Sequence, residues 1–377
     1  MAERFERVWQ VLDAQVAAGR MPGYVAAVRA GDEEAIRAGG RTAVEPDSAP
    51  MGGDTLFRIA SVTKPMGGAL ALSLVQDGVI ALNDPIARWL PEAEHPRVLV
   101  SPDASLDRTT DAQRPVTVRH LLTCTSGWGV GMTGAPLRTT MTERGVHPGP
   151  LVIQMSGDEF VATVTDLPLA FQPGDGWLYD TSINLLGVLL ARAAGTSLSE
   201  LFAERITGPL GMASTGFGTS HVERMATAYL PGPDGLDLLD PPEGVYAAPP
   251  FEELSGGLVS TAGDVFRFSC AMADGGAPLL PRESVALMTA DALTDAQRVQ
   301  ALPFVGPGAS WGLATAVDLE AAEPWMAPGR WGWSGGTGTT AYVDPARGTV
   351  GVLMTQRGMT GPEDSPEEFW TAVAGLA

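Results

Sequence analysis

Lysine is nearly missing from this 377-residue chain: of 24 basic side chains, 23 are arginines and one is Lys64. A P-loop is excluded, because Lys64 lies in Arg58-Ile59-Ala60-Ser61-Val62-Thr63-Lys64-Pro65, without the glycines that cradle phosphate. Any chemistry that requires an amine side chain falls to Lys64. Positive charge is scarce altogether. Against 44 acidic residues the formal charge is −20, with no basic stripe, which disfavours nucleic acid and anionic membrane as partners. The two cysteines, Cys124 and Cys270, are too few for a disulfide framework and have no metal-ligand spacing; two buried, reduced thiols are expected. The four histidines are too scattered to suggest a metal, and His120 is expected to be structural. Long hydrophobic runs are also lacking. The uncharged stretches 120–137 and 299–317 are broken by glycine, proline and hydroxyl residues, so neither reads as a membrane span. The charged start Met1-Ala2-Glu3-Arg4-Phe5-Glu6-Arg7 does not read as a signal peptide, and the expected compartment is the cytosol.

What is present is a globular composition, 45% apolar and 18% charged, in a chain longer than one core usually serves. Apolar residues at helical spacing predict an amphipathic helix over 3–18, and β-type runs at 23–30 and 34–38 around Gly31-Asp32 predict a hairpin. A helical pattern runs from Ser61 to about Gln76, closed by Asp77-Gly78. The middle of the chain predicts short helices at 84–89, 117–124, 158–165, 181–194 and 197–206. The proline-rich stretch 231–250 reads as an extended cover. Helices are expected near 263–273, 281–289 and 366–376, and the runs 339–343 and 349–354 around Asp344-Pro345-Ala346-Arg347-Gly348 predict a second hairpin. Strands at both ends with helices between them imply an α+β fold. One antiparallel sheet flanked by helices belongs to a lobe of residues 1–76 and 255–377, with an inserted, mainly helical lobe over 77–254. A cleft between the lobes is the default place for a site.

Ser61 and Lys64 stand three apart at the start of a predicted helix and so share one face. A hydroxyl becomes a nucleophile when a neighbouring base takes its proton, and a desolvated lysine with a lowered pKa is such a base. A capping serine beside a surface lysine is the competing reading of the pair alone. The surroundings decide between them. Phe57-Arg58-Ile59-Ala60-Ser61-Val62-Thr63-Lys64-Pro65 resembles the nucleophile motif of the penicillin-recognising serine hydrolases, the group of class C β-lactamases, DD-peptidases and family VIII carboxylesterases. The resemblance continues in order through Leu82-Asn83-Asp84-Pro85, the segment 116–127, Phe171-Gln172-Pro173-Gly174, Gly208-Pro209-Leu210-Gly211-Met212, the segment 256–261 and the Trp333 region.

That resemblance implies a β-lactamase/DD-peptidase-like fold, with Ser61 as the acylated nucleophile, Lys64 as its base and Tyr179 relaying a proton to the leaving group. It implies an oxyanion hole from the N–H groups of Ser61 and Gly336, and no metal or organic cofactor. Trp333-Ser334-Gly335 stands where the family usually has Lys-Thr-Gly or His-x-Gly. Trp333 replaces the cation that would greet a substrate carboxylate, and Thr181 replaces an amide-bearing asparagine. Both departures favour esters over lactams and peptides. Trp128, Trp177, Trp331 and Trp333 are candidates for an apolar acyl pocket, and Ser334, Gly335 and Thr181 for further substrate contacts.

Two motifs are decoys. Gly332-Trp333-Ser334-Gly335-Gly336 matches the Gly-x-Ser-x-Gly elbow, but every histidine precedes it in the chain. Gly129-Val130-Gly131-Met132-Thr133-Gly134 matches a dinucleotide fingerprint, but follows no strand. The expected function is a carboxylesterase that cleaves short or medium acyl esters, its partner being a small-molecule ester or amide substrate. The alternatives are an acyltransferase or amide/peptide hydrolase using the same acyl-enzyme, and a non-catalytic binding protein on the same fold.

Overall fold

The computed structural model describes residues 4–131 and 136–377, so the second half of the Gly129–Gly134 run lies outside the described residues. In chain order the strands are β1 (Gly23–Ala30), β2 (Glu33–Gly40), β3 (Phe57–Arg58), β4 (Arg97–Leu99), β5 (Thr109–Asp111), β6 (Ala228–Gly232), β7 (Gly235–Asp240), β8 (Val259–Ser260), β9 (Ala309–Trp311), β10 (Ala316–Asp318), β11 (Trp331–Gly335), β12 (Thr339–Asp344) and β13 (Thr349–Thr355). The α-helices are α1 (Glu6–Ala17), α2 (Thr63–Gln76), α3 (Val118–Leu122), α4 (Pro136–Glu143), α5 (Gly157–Thr165), α6 (Thr181–Ala194), α7 (Leu198–Phe202), α8 (Gly208–Leu210), α9 (Ala262–Ala273), α10 (Arg282–Met288), α11 (Asp295–Val305) and α12 (Glu367–Ala374).

Strands from the two ends of the chain form one seven-stranded antiparallel sheet, in the order β2-β1-β13-β12-β11-β10-β9, which is the expected α+β architecture. Side-chain alternation sorts its two faces. Tyr24, Ala26, Val28 and Leu353 face α1 and α12, where they pack with Trp9, Leu12, Phe369 and Trp370. Val25, Ala27, Ala341, Val352 and Met354 face the other way, into a core that runs on through α2 to Phe160, Leu185 and Leu189 of the helical segment. Because both faces are covered, β13 is buried along its whole length.

The helix that carries the serine and lysine lies inside this core. From Thr63 to Leu74 every residue of α2 is buried, as expected for a helix that is apolar all round. Two glycines let it approach its neighbours from opposite sides. A Cβ on Gly67 would lie 2.7 Å from Leu254 Cγ, and one on Gly68 would lie 2.7 Å from the Leu313 carbonyl oxygen. The functional side chains therefore start from a rigid support.

Several expectations are corrected. Residues 228–240 form the β6/β7 hairpin and not an extended cover; Pro231 is accommodated because this two-stranded pair has open edges. Helix α11, which none of the expected helices covers, contains Pro303 and is started by a capping box of Thr294 and Gln297. Cys124 is buried, but Cys270 is only half-buried, its thiol beside Glu34 on the sheet's edge. His120 closes a capping box with Thr117 at the start of α3, a structural use. Among the described residues no single helix is long and apolar enough to cross a membrane.

Candidate active site

Arg58 anchors the approach to Ser61. The short pair β3/β8 holds the chain from one side. The buried Arg58 guanidinium donates to the Asp240 carboxylate and to the carbonyl oxygens of Ala226 and Pro241, each at 2.5 Å. After Ile59 the backbone bends sharply: Ala60 has φ 44°, a left-handed conformation unusual for a residue with a Cβ. The surroundings hold it there. Thr337 and Thr339 donate hydroxyl hydrogens to the carbonyl oxygens of Arg58 and Ile59, and a Cβ on Gly335 would lie 2.5 Å from the Ile59 oxygen. Gly335 thus lets β11 abut the turn that presents Ser61, a supporting role for a residue expected to touch substrate.

Two side chains converge on Ser61, and a third supports one of them. Lys64 Nζ donates to Ser61 Oγ at 2.9 Å, and Tyr179 Oη donates to the same oxygen at 2.9 Å. Ser61 and Tyr179 are half-buried, so the meeting point is reachable from solvent. The Trp333 indole N–H donates to Tyr179 Oη at 2.6 Å. Tyr179 itself is tightly placed. Its N–H and carbonyl exchange hydrogen bonds with Val130, and a Cβ on Gly129 would lie 2.7 Å from the Tyr179 carbonyl oxygen. Close approach therefore accounts for Gly129, the first glycine of the nucleotide-like run. Its ring stacks on Phe304 of α11 at 5.0 Å and on Trp177 at 6.0 Å.

The lysine differs from expectation. Lys64 is fully buried, and its Nζ makes two further bonds, to Asp180 Oδ1 at 2.6 Å and to the Ser255 carbonyl oxygen at 2.7 Å. Burial alone pulls the amine down, but the Asp180 charge, with Tyr179 beside it, carries it above its ordinary value. The lowered pKa expected from desolvation is thus reversed by a carboxylate 116 positions away. Tyr179 is raised, by burial first; Lys64 and the bonds from Ser61 and Trp333 act against that and Asp180 adds to it.

Asp180 and Ser255 were both missed. The available signal was physical: a lysine at the head of an apolar helix needs a counter-charge once buried, and an acid adjoins Tyr179. Asp180 has φ 79°, a second strained position at the site. Its other oxygen accepts from Ser255 Oγ at 3.1 Å. Beyond it, Ser255 N–H donates to Asn184 Oδ1, and Asn184 Nδ2 donates to Glu253, whose carboxyl burial pushes up to about 7.

Other expected contacts lie elsewhere. Trp128 is 1% exposed and gives its indole N–H to the Leu167 carbonyl oxygen inside the core. Trp177, 2% exposed, lies behind Tyr179 and supports that ring. Thr181, 1% exposed, starts α6 with its hydroxyl unpaired among the described residues. None of these three presents surface to a substrate. Trp331 is buried in β11. Ser334 follows Trp333 on a strand and so points to the α1/α12 face, where its hydroxyl meets Thr340 Oγ1 at 2.9 Å. It lines a cavity of about 460 Å³ on that face, whose lining includes none of Ser61, Lys64 and Tyr179, and the Gly-x-Ser-x-Gly match is a strand and not an elbow. Gly336 is exposed beside β11, with open space where a Cβ would stand and its carbonyl oxygen bonded by the Met359 N–H.

With one proton missing from the Lys64 and Tyr179 pair, this arrangement can take a proton from the Ser61 hydroxyl and return it to a leaving group. The indole's share is measurable. Trp333→Phe is expected to lower kcat about 10- to 100-fold on an ester with little change in KM, the size of one hydrogen bond to a charged oxygen. A steady-state comparison checks it.

The sequence profile described as Beta-lactamase matches residues 8–375. Protein Rv1367c of Mycobacterium tuberculosis (strain ATCC 25618 / H37Rv) is 39% identical over 324 residues, covering 81% of this chain and 79% of its own length. Esterase EstB of Burkholderia gladioli is 32% identical over 381 residues, covering 94% of this chain and 92% of its own. Among solved structures, EstCE1, a hydrolase with promiscuous acyltransferase activity, superposes with a TM-score of 0.85 at 25% identity over 99% of both chains.

Proposed function

The chain belongs to the Beta-lactamase family of serine hydrolases, and from that premise we propose that it is a carboxylesterase acting on short or medium acyl esters through a Ser61 acyl-enzyme. The observation that carries the reading is Trp333, whose indole N–H is bonded to Tyr179 Oη at 2.6 Å in the place where relatives that recognise a carboxylate present a cation. Ser61 Oγ attacks the ester carbonyl, and its proton passes to the Lys64 and Tyr179 pair. The N–H groups of Ser61 and Gly336 receive the developing oxyanion. Tyr179 Oη then protonates the leaving alkoxide, and water releases the acyl group.

A second reading, acyl transfer to an alcohol or amine, is favoured by the aromatic wall of Trp177, Phe304 and Trp333 around Tyr179, which limits the water near the acyl-enzyme. A substrate panel separates the readings. Nitrophenyl acetate and butyrate are expected to turn over with kcat/KM about 100-fold or more above a cephalosporin or a D-alanyl peptide. Added alcohol or amine acceptors that raise nitrophenol release and form new ester or amide support transfer. Efficient cephalosporin turnover overturns the role given to Trp333, and no turnover of any ester leaves the binding-protein alternative standing.

A further inference from the structure

We propose that Asp180 is a positioning residue that keeps Lys64 as an ammonium, so that Tyr179 and not the lysine takes up the Ser61 proton; the inference rests on the Ser61 acyl-enzyme reading above. The geometry is specific. An ammonium has three hydrogens, and Lys64 Nζ has three acceptors within 2.9 Å: Asp180 Oδ1, the Ser255 carbonyl oxygen and Ser61 Oγ. The shortest, at 2.6 Å, goes to the carboxylate, and both partners are buried, so the attraction is weakly screened. Asp180 reaches this place only in a left-handed conformation, φ 79° and ψ −67°, which costs about 1–3 kcal/mol in a residue other than glycine. The backbone bonds between Tyr179 and Val130 and the Ser255 hydroxyl hold it there.

With the lysine charged, the chemistry balances through the tyrosine. In the reactive form Tyr179 is a phenolate, flanked by the Trp333 N–H at 2.6 Å and by the Lys64 ammonium, which lies 4.5 Å from the ring centroid. The Ser61 O–H bond breaks as the bond from Oγ to the acyl carbon forms, and the proton moves to Tyr179 Oη. When the tetrahedral adduct collapses, Tyr179 returns that proton to the departing alkoxide and is again a phenolate. Lys64 keeps its three protons throughout.

This arrangement sets a pH dependence. Burial first, and then the Asp180 charge among the remaining influences, favours the protonated phenol, so kcat/KM is expected to rise with pH along an acid limb. Removing that negative charge by Asp180→Asn weakens proton binding at both Tyr179 and Lys64 and moves the limb to lower pH, by about one to three units. The other titratable groups around Asp180 among the described residues are Cys124 just after α3, Glu253 beyond Asn184 and Tyr246. Only Glu253, raised to about 7, titrates near neutrality. Its side-chain bonds go to the Ile153 N–H and Asn184 Nδ2, and it acts on Lys64 and Asp180 through charge alone, so Glu253→Gln is expected to move the limb by clearly less than Asp180→Asn does.

The lone lysine makes a direct test possible. Growth on lysine labelled with carbon-13 at Cε produces one lysine resonance, that of Lys64, whose shift reports the protonation state. Ammonium is expected across the pH range in which the enzyme hydrolyses nitrophenyl esters, with deprotonation moving to lower pH in Asp180→Asn. A neutral amine at the pH of maximal activity overturns the proposal. So does an acid limb unmoved in Asp180→Asn, a loss in kcat equal at every pH, or the same displacement in Glu253→Gln. Should Asp180→Asn fail to fold, the wild-type resonance alone still decides. Ser61→Ala, measured alongside, separates the two failures: ester turnover surviving there refutes the acyl-enzyme, whereas a neutral Lys64 in an enzyme that needs Ser61 refutes only the role of Asp180.

Discussion

Ser61→Ala is expected to lower ester turnover by about 10⁴-fold or more and to abolish the single adduct formed with a fluorophosphonate. The magnitude follows from what the oxygen touches: Ser61 Oγ is the hydroxyl bonded by both Lys64 Nζ and Tyr179 Oη, so its removal leaves a proton shuttle with nothing to deprotonate. Other hydroxyls nearby do not substitute. Those of Ser126 and Ser182 are buried 2.7 Å from each other, that of Ser255 is bonded to Asp180, and Ser334 faces the far side of the sheet. Alanine fits the half-buried position, and Lys64 Nζ keeps Asp180 Oδ1 and the Ser255 carbonyl oxygen as acceptors, so the variant should retain its fold and isolate the chemical effect. Intact-mass analysis after labelling decides the matter. An adduct of one label on wild-type protein and none on Ser61→Ala is expected; a label retained by the variant, on Ser334 or elsewhere, displaces Ser61 from the role.

What the sequence discloses about this site depends on the distance over which each feature is decided. The two terminal hairpins follow from local alternation and turn residues, and they were expected within a few residues of β1/β2 and β12/β13. The closeness of Ser61 and Lys64 is equally local, one helical turn in which i and i+3 share a face. The placement of Tyr179 beside Ser61 is not local, and only the ordered motifs of the wider family pointed to it. The Lys64 to Asp180 pair was missed because burial of an amine is settled by the whole core, and desolvation weighed without its counter-charge gives the wrong direction. Ser334 illustrates a different loss. In a strand over 331–335, Trp333 on one face requires Ser334 on the other, so alternation within the chain itself turns Ser334 away from the site. Trp128 and Thr181 failed for a reason no local pattern reveals: large or polar, each is enclosed by segments distant in sequence.

Lys64→Met is expected to cost about 10³-fold or more in kcat/KM and, separately, about 3–5 kcal/mol of stability. The two losses have different origins. Methionine has nearly the same length and fits an unbranched, fully buried slot, so packing is largely kept. The stability loss comes from Asp180, left as a buried carboxylate with the Ser255 hydroxyl as its remaining partner. The rate loss comes from Ser61 Oγ and Tyr179 Oη, which no longer have a cation between them to favour the phenolate. Adding Asp180→Asn removes the stranded charge and is expected to recover most of the stability in urea denaturation while leaving the rate low, a non-additive cycle that separates folding from chemistry. Arginine cannot stand in. The other deeply buried ion pairs among the described residues, Arg58 with Asp240 and Arg330 with Asp318, do use arginine, whose planar fork suits acceptors spread around its rim. Lys64 instead brings one nitrogen against three acceptors at 2.6 to 2.9 Å, which a guanidinium cannot match without moving Ser61 or Asp180. A chain that otherwise places arginine at every cationic position therefore keeps one lysine where a compact ammonium is required, and turnover within tenfold of wild type in Lys64→Met or in the double variant would refute that requirement.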